Sequence, residues 1–403
     1  MRVRIDRHAL GTPTSLVIDH EGGYEWSNDS CDASLCSQSH TLVPLEDLAR
    51  MQGLPESNLQ VSDSAHQRSF EVLGVSGLTV PWVMVMGRQK FTARIQGIVK
   101  ATQEVIRDPE VVRYVSTYRE GNSVLRSLQR PRIDLQRLRQ HRTDDVGGLS
   151  QLSALTSFSP DDDGLAPAIV YDRASTATGR LKVARGPAIL TLQKECRDII
   201  TSRVGGTICE IDFVSLEPRV ALNVMGINAS QDIYEGVRER LNMSGLTRQA
   251  VKQAVISALY GSSSAALAES LGGRREAQGL IREVKAYFHV AELVTRLRSE
   301  MARDGGRLHN YYGRPLNDIK ENDPDSKIIS YYLQSTAVDV ALLGFKDLIS
   351  RFHSSGIMPI YVIHDAILFD VPVGLEERLQ RECVTGVDLE MGHFALGLKG
   401  ISR

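Results

Sequence analysis

The stretch Leu246 to Gly261, LTRQAVKQAVISALYG, decides how the rest of the chain is organised. Arg248, Lys252, Ile256 and Tyr260 recur at every fourth position. At about 100° per residue, a step of four drifts by only ~40°, so the four side chains share one helical stripe. The stripe runs from two cations through an aliphatic residue to a flat ring. A core-facing stripe carries Leu, Val or Ala and leaves its charges on the opposite face. A nucleoside triphosphate has the matching polarity, with an anionic tail and a stackable base. Taken alone, the same stripe also describes a surface helix with two solvated cations and a buried tyrosine.

Carboxylates elsewhere separate these readings. ICEIDF (208–213) is an apolar strand ending in Asp212, and the following VSLEPRVALNV turns into a helix through Glu217 and Arg219. A carboxylate at a strand exit is as often an N-cap as a metal ligand. In IYVIHDAILFDVP (360–372) two apolar strands flank His364 and Asp365. His-Asp without glycine is poor as turn chemistry alone. If this hairpin lies beside the strand ending at Asp212, two like charges face each other, which is unfavourable unless a cation neutralises them. An all-oxygen donor set favours Mg²⁺. Two such ions about 3.5–4 Å apart serve phosphoryl transfer.

The chain has 403 residues, 42% hydrophobic and 24% charged, the balance of a globular protein of two or three domains. No apolar run reaches the ~20 residues of a membrane span, and MRVRIDRHAL lacks the apolar core of a secretory signal. Five scattered cysteines suggest reduced thiols and a cytoplasmic setting. The net charge of −2 hides a basic stretch: Arg88 to Arg142 carries 13 Lys and Arg against 5 Asp and Glu. Such a stretch suits either a solvated helical surface or a grip on nucleic-acid phosphates.

Residues 1–80 look β-rich, with SLVID (15–19) and YEW (24–26) as strands joined through HEGG. Asp19 and Glu21 form a D-x-E of the kind that opens a proofreading exonuclease, but such a domain needs further carboxylates and about 150 residues. Cys31, Cys36 and His40 lack the fourth ligand of a closed zinc site. Residues 262–304 read as a run of helices, LHNYYGRPL (308–316) as a short hairpin, and SYYLQSTAVDVALLGFKDLI (330–349) as an apolar helix interrupted by Gln334.

In this order the motifs resemble those of family A DNA polymerases, the polymerase I type. TATGRL (176–181) looks like the primer-side motif, and DFVSLEPR (212–219) is similar to motif A. RQAVKQAVISALYG (248–261) is similar to motif B, LQSTAVD (333–339) to the Q-G-[ST]-A-A-D helix, and VIHDA (362–366) to motif C. The resemblance covers about residues 170–403. It implies an α+β right-hand fold with an antiparallel palm sheet, helical fingers and a helical thumb. The palm is expected at 151–224 and 326–403, the fingers at 225–325, basic thumb-like helices at 81–150, and an accessory region of unknown role at 1–80.

The resemblance further implies a DNA-directed DNA polymerase acting as a monomer on primer-template DNA and dNTPs with two Mg²⁺ ions, and with replication accessory proteins as further partners. It casts Asp212, Asp365 and the Phe213 carbonyl as metal ligands. Arg248 and Lys252 bind the triphosphate, Lys252 also protonating the leaving pyrophosphate. Ile256 and Tyr260 flank the nucleotide and templating base, and Glu217 excludes a ribose 2′-OH. Arg180, Gln334 and His364 contact primer and template. The chain departs from the family pattern at several positions. Ile256 replaces an aromatic residue, Ser257 a glycine, Ala366 the acidic residue after His-Asp, and Pro218 an aliphatic one; Ser330 stands where asparagine is frequent. These departures bear on selectivity and rate rather than on reaction type.

Overall fold

The computed structural model describes residues 2–5, 14–27, 35–36, 87–143, 148–242, 245–261, 265–271 and 273–402. Cys31 and His40 fall outside them, and with them the zinc expectation. The chain forms two compact units, Met1–Asn122 with Tyr312–Asn317, and Ser123–Tyr311 with Asp318–Arg403.

In the first unit, β1 (Arg2–Ile5), β2 (Ser15–Asp19), β3 (Tyr24–Ser27) and β4 (Leu35–Cys36) form a sheet ordered β3-β2-β1-β4. Asp19 closes the β2–β3 hairpin: Oδ1 accepts the backbone N–H groups of Glu21 and Gly23 at 3.0 and 2.9 Å. Its carboxylate therefore does turn chemistry. Helices α1 (Arg88–Val105) and α2 (Pro109–Ser127) follow. Val3, Ile5, Leu16 and Ile18, alternating along the strands, share one core with Ile98, Val105, Val111 and Tyr114 of the helical segment. The N-terminal strands and the first basic helices are thus one packed body. Its boundary with the second unit falls inside α2, between Asn122 and Ser123. Arg314 is buried against this body, its guanidinium 5.7 and 5.3 Å from the ring centres of Tyr114 and Tyr118.

The second unit begins with β5 (Arg132–Ile133), α3 (Leu135–Thr143), α4 (Gly148–Thr156), β6 (Val170–Asp172) and β7 (Lys182–Arg185). A 3₁₀ turn (Lys194–Ile199) leads into β8 (Ile200–Thr201) and the central strand β9 (Thr207–Phe213). Then come α5 (Leu216–Val224), α6 (Ile233–Arg240), α7 (Arg248–Tyr260), α8 (Ala265–Leu271), α9 (Arg274–Tyr287) and α10 (Val290–Arg303). The chain closes with α11 (Asp325–Arg351), β10 (Met358–Ile363), β11 (Ala366–Val371), α12 (Glu376–Thr385), β12 (Val387–Leu389), β13 (Gly392–Phe394) and β14 (Leu396–Ser402). Leu308–Leu316 turns at 311–313 between single β-bridge residues, His309 and Pro315, a hairpin too short to carry named strands, and Gly313 takes φ 85° within it.

The opening stretch forms α7, bounded as its sequence dictates. Thr247 caps the N-terminus, its hydroxyl accepting the Ala250 N–H at 3.2 Å, and Gly261 ends the helix at φ 66°. Ala250, Val251, Ala254, Val255, Ala258 and Leu259 are buried, so the Arg248–Lys252–Ile256–Tyr260 stripe lies off the core face.

β10, β11, β9 and β14 form an antiparallel sheet in that order. Every residue of β11 is buried, as a strand covered on both faces requires. Tyr171 finishes the β10 edge: its hydroxyl donates to the Val362 carbonyl at 2.7 Å and accepts the Val362 N–H at 3.1 Å. Burial pushes that phenol far above its ordinary range. Phe213 of β9 meets Phe345 of α11 with ring centres 5.4 Å apart. Gly344 makes this approach possible, since a Cβ there would lie 2.6 Å from the Phe213 ring.

By length and composition α11 could cross a membrane, yet 72% of its most apolar window is buried inside the protein, which makes it a core helix. Asp339 of α11 is 1% exposed and bonded to Arg173 at 2.6 Å. Asn310 donates to the other Asp339 oxygen at 2.7 Å and to Ser335 at 3.1 Å. Three distant segments thus meet in one cluster of buried, mutually bonded polar groups.

Candidate active site

The two carboxylates singled out in the sequence come to adjoining strand ends. Asp212 is the penultimate residue of β9, and its register partner on β11 is Ala366, directly after Asp365. The Phe213 N–H donates to the Asp365 carbonyl at 3.1 Å, which ties the His364-Asp365 turn to the exit of β9. Both exits bend through a left-handed residue with a side chain, Ser215 at φ 53° and His364 at φ 56°. Such a conformation costs about 1 kcal/mol or more per residue and persists where the surroundings enforce it.

Asp365 is held above the ordinary carboxylate range, first by burial and then by the nearby charges of Glu217 and Asp212. A cation beside it would relieve both effects, and the donors on offer are oxygens. Among the described residues no group of three or more His, Cys, Asp or Glu side chains forms a metal cage, but two carboxylates are donors of the kind that Mg²⁺ takes alongside substrate phosphates. His364 is pushed below the usual imidazole value by burial and then by Arg180, so it is neutral at neutral pH.

Four segments distant in sequence line one cleft of about 260 Å³. Arg180 comes from the β6–β7 connection, Glu217 from α5, Gln334 from α11, and His364 with Asp365 from the β10–β11 turn. Gln334 is half-buried and faces the cleft rather than the core. Arg180 is presented by a turn in which Gly179 N–H donates to the Thr176 carbonyl at 3.0 Å and the Thr176 hydroxyl to the Arg180 carbonyl at 2.8 Å. Glu217 is held from two sides: Arg180 donates to Oε1 at 3.1 Å and the Tyr260 hydroxyl to Oε2 at 2.5 Å. Burial, and then the Glu217 charge, push the Tyr260 phenol far above its normal value, so it remains a donor.

The cationic end of the stripe is placed differently. Arg248 is bonded to Asp232 at 2.9 Å and stacked over the Tyr234 ring at 5.0 Å. Asp232 caps α6 by accepting the N–H groups of Tyr234 and Glu235, and Arg219 fixes that corner through the carbonyls of Ser230 and Gln231 at 3.1 and 2.9 Å. Lys252 is half-buried and Ile256 is exposed. Neither they, nor Arg248, nor Asp212, line the cleft.

Several residues here escaped the sequence reading. Asp232 is one, because an N-cap aspartate carries no signal that it will hold an arginine from the next helix. Lys399 of β14 is another: its ammonium contacts Asp212 and lies 3.7 Å from Glu210. Asp212 raises the affinity of Lys399 for its proton. Gly397, opposite Asp212 in the register, leaves the carboxylate room, since a Cβ there would fall 2.7 Å from Oδ1.

Comparison with solved structures finds a likeness to the polymerase domain of Pol1 from M. smegmatis, which was solved in complex with DNA primer-template and dNTP. The TM-score is 0.59 at 13% identity, and the match covers 99% of this chain and 94% of that one. At that identity the likeness is one of fold. No protein-family model matches the sequence, and no curated protein matches it.

Proposed function

We propose that this protein is a template-directed DNA polymerase, in which a primer 3′-OH attacks the α-phosphate of a dNTP and pyrophosphate leaves. The observation that carries the reading is the junction of Asp212 and Asp365, with Glu217, Gln334, His364 and Arg180 arranged around the second of them. The polymerase-domain fold of the Pol1 structure supports it.

In this reading the β10-β11-β9-β14 sheet is a palm spanning 151–224 and 326–403, and residues 225–325 are fingers. The basic helices within 81–150 act as a thumb on the duplex. The Asp212 and Asp365 carboxylates and the Phe213 carbonyl would hold two Mg²⁺ ions, which would supply charge neutralisation during phosphoryl transfer. Arg248 exchanges Asp232 for the triphosphate, and Lys252, one turn along, adds a second cation and a proton for pyrophosphate. Tyr260 keeps Glu217 fixed where a ribose 2′-OH would project. Arg180, Gln334 and neutral His364 donate to primer and template at the cleft wall. Catalysis then rests on positioning and electrostatics rather than on a covalent intermediate. The protein works as a cytoplasmic monomer, with any replication accessory proteins binding outside the cleft.

A single-subunit RNA polymerase would share the aspartates and the Arg-Lys-Tyr helix but has no use for a fixed acidic gate, and Glu217 is fixed by two partners. Primer extension on one template with dNTPs or with rNTPs, with and without Mg²⁺, tests the proposal. Metal-dependent extension with dNTPs supports it, and a preference for rNTPs overturns it.

A further inference from the structure

Glu210, Asp212, Gly397 and Lys399 share one face of the sheet, because Glu210 pairs with Lys399 and Asp212 with Gly397 across β9 and β14. Along that face charges alternate. Arg197 takes Oε2 of Glu210 at 3.0 Å, and Lys399 approaches Oε1 of the same carboxylate at 3.7 Å. The Lys399 ammonium also contacts Oδ2 of Asp212. Gly397 leaves room at the other oxygen, Oδ1, which would lie 2.7 Å from a Cβ at that position. Lys399 thus has one carboxylate at Asp212 and another, Glu210, two residues away on the same face of the strand. Glu210 is 9% exposed in its side chain and anchored by Arg197, whereas Lys399 is 49% exposed and can move between the two. Across the strand from Asp212, Ala366 adds no carboxylate that would compete with Asp212 for the lysine.

We propose that Lys399 is a built-in counter-cation of the metal site. It holds Asp212 in place while no divalent ion is present, and withdraws to Glu210 when one arrives. This rests on the reading of Asp212 as a metal ligand. Divalent-ion binding at Asp212 must then displace an ammonium group, so the protein binds the ion more weakly than its carboxylates alone would. An ammonium contact partly open to water is expected to lower the affinity by about tenfold. Lys399 is a positioning residue here, acting through Asp212.

The test is direct titration of Mn²⁺ into the full chain without DNA or nucleotide, following free Mn²⁺ by electron paramagnetic resonance. Lys399→Met removes the charge and keeps most of the length, and should bind Mn²⁺ about tenfold more tightly than the parent; Lys399→Arg should stay close to the parent. Unchanged or weaker binding by Lys399→Met overturns the proposal, the weaker outcome meaning that Lys399 merely orders Asp212. Asp212→Asn separates the two layers of the argument. If its loss leaves Mn²⁺ binding intact, the assignment of Asp212 as a ligand fails, and the role of Lys399 fails with it. If Asp212→Asn abolishes binding while Lys399→Met leaves the affinity unchanged, only the counter-cation role fails.

Discussion

The hydroxyl of Tyr260 donates to Oε2 of Glu217 at 2.5 Å, which joins the last turn of α7 to the first turn of α5. If Glu217 is the sugar gate, its strength depends on this bond and on Arg180 at the other oxygen. Glu217→Ala should raise ribonucleotide over deoxyribonucleotide incorporation by roughly 10- to 200-fold, the range for a steric distinction of this size. Tyr260→Phe should relax the same ratio by less, since Arg180 still holds the carboxylate. Competition between dNTP and rNTP on a primed template measures both. An unchanged ratio in Glu217→Ala would remove the gate assignment.

Asp365 carries a stability cost that follows from its surroundings. Its pKa in the fold is raised above the ordinary 3.8 by burial and by Glu217 and Asp212. The neutral acid is therefore the form the fold prefers, and that favourable contribution is present below 3.8 and lost as pH rises through the folded value. Asp365→Asn should accordingly melt higher than the parent at pH 8, by roughly 1–3 °C. The difference should shrink as the pH falls toward 4. Mg²⁺ should raise the melting temperature of the parent and not of the variant. A variant less stable than its parent at pH 8 would contradict the charge-repulsion account.

The buried Arg173–Asp339 pair fixes α11, and with it Gln334, against the β6 segment. Asp339→Ala removes the carboxylate partner of a buried guanidinium and an acceptor of Asn310, and should cost about 3–5 kcal/mol in urea unfolding. Replacing both partners, by Arg173→Met with Asp339→Leu, should recover most of that loss. A single variant within about 1 kcal/mol of the parent would mean that the pair is not the lock described.

Ile256 is 38% exposed in the middle of the α7 stripe. Ile256→Phe should leave stability within about 0.5 kcal/mol. By adding a stackable ring it should lower KM for dNTPs by roughly 2- to 10-fold. Single-nucleotide incorporation kinetics checks this; an unchanged KM would place the residue away from the nucleotide.

What was legible in the sequence was periodic or local. The fourfold spacing of α7, the two apolar strands around His364-Asp365 and the strand ending at Asp212 are all local patterns. The long-range partners could not be read. Arg173 and Asp339 are 166 residues apart and Lys399 and Asp212 are 187 apart, and nothing in the local pattern of either member announces the other. The motif order placed Arg248 with the triphosphate, but its partner here is Asp232, a cap whose second role depends on how α6 meets α7. LHNYYGRPL, read as a short hairpin, does turn between bridge residues at His309 and Pro315, but nothing in it announces that Asn310 donates to Ser335 and Asp339 of α11.

The central claim is that Asp212 and Asp365 jointly carry metal-dependent addition of deoxynucleotides. Primer extension by the parent, Asp212→Ala and Asp365→Ala, with duplex affinity measured alongside, tests it most directly. The account predicts templated extension by the parent with Mg²⁺ and dNTPs, and a fall on the order of 10³-fold in each variant with duplex binding retained. Extension at near-parental rate by either variant, or none by the parent, would contradict it.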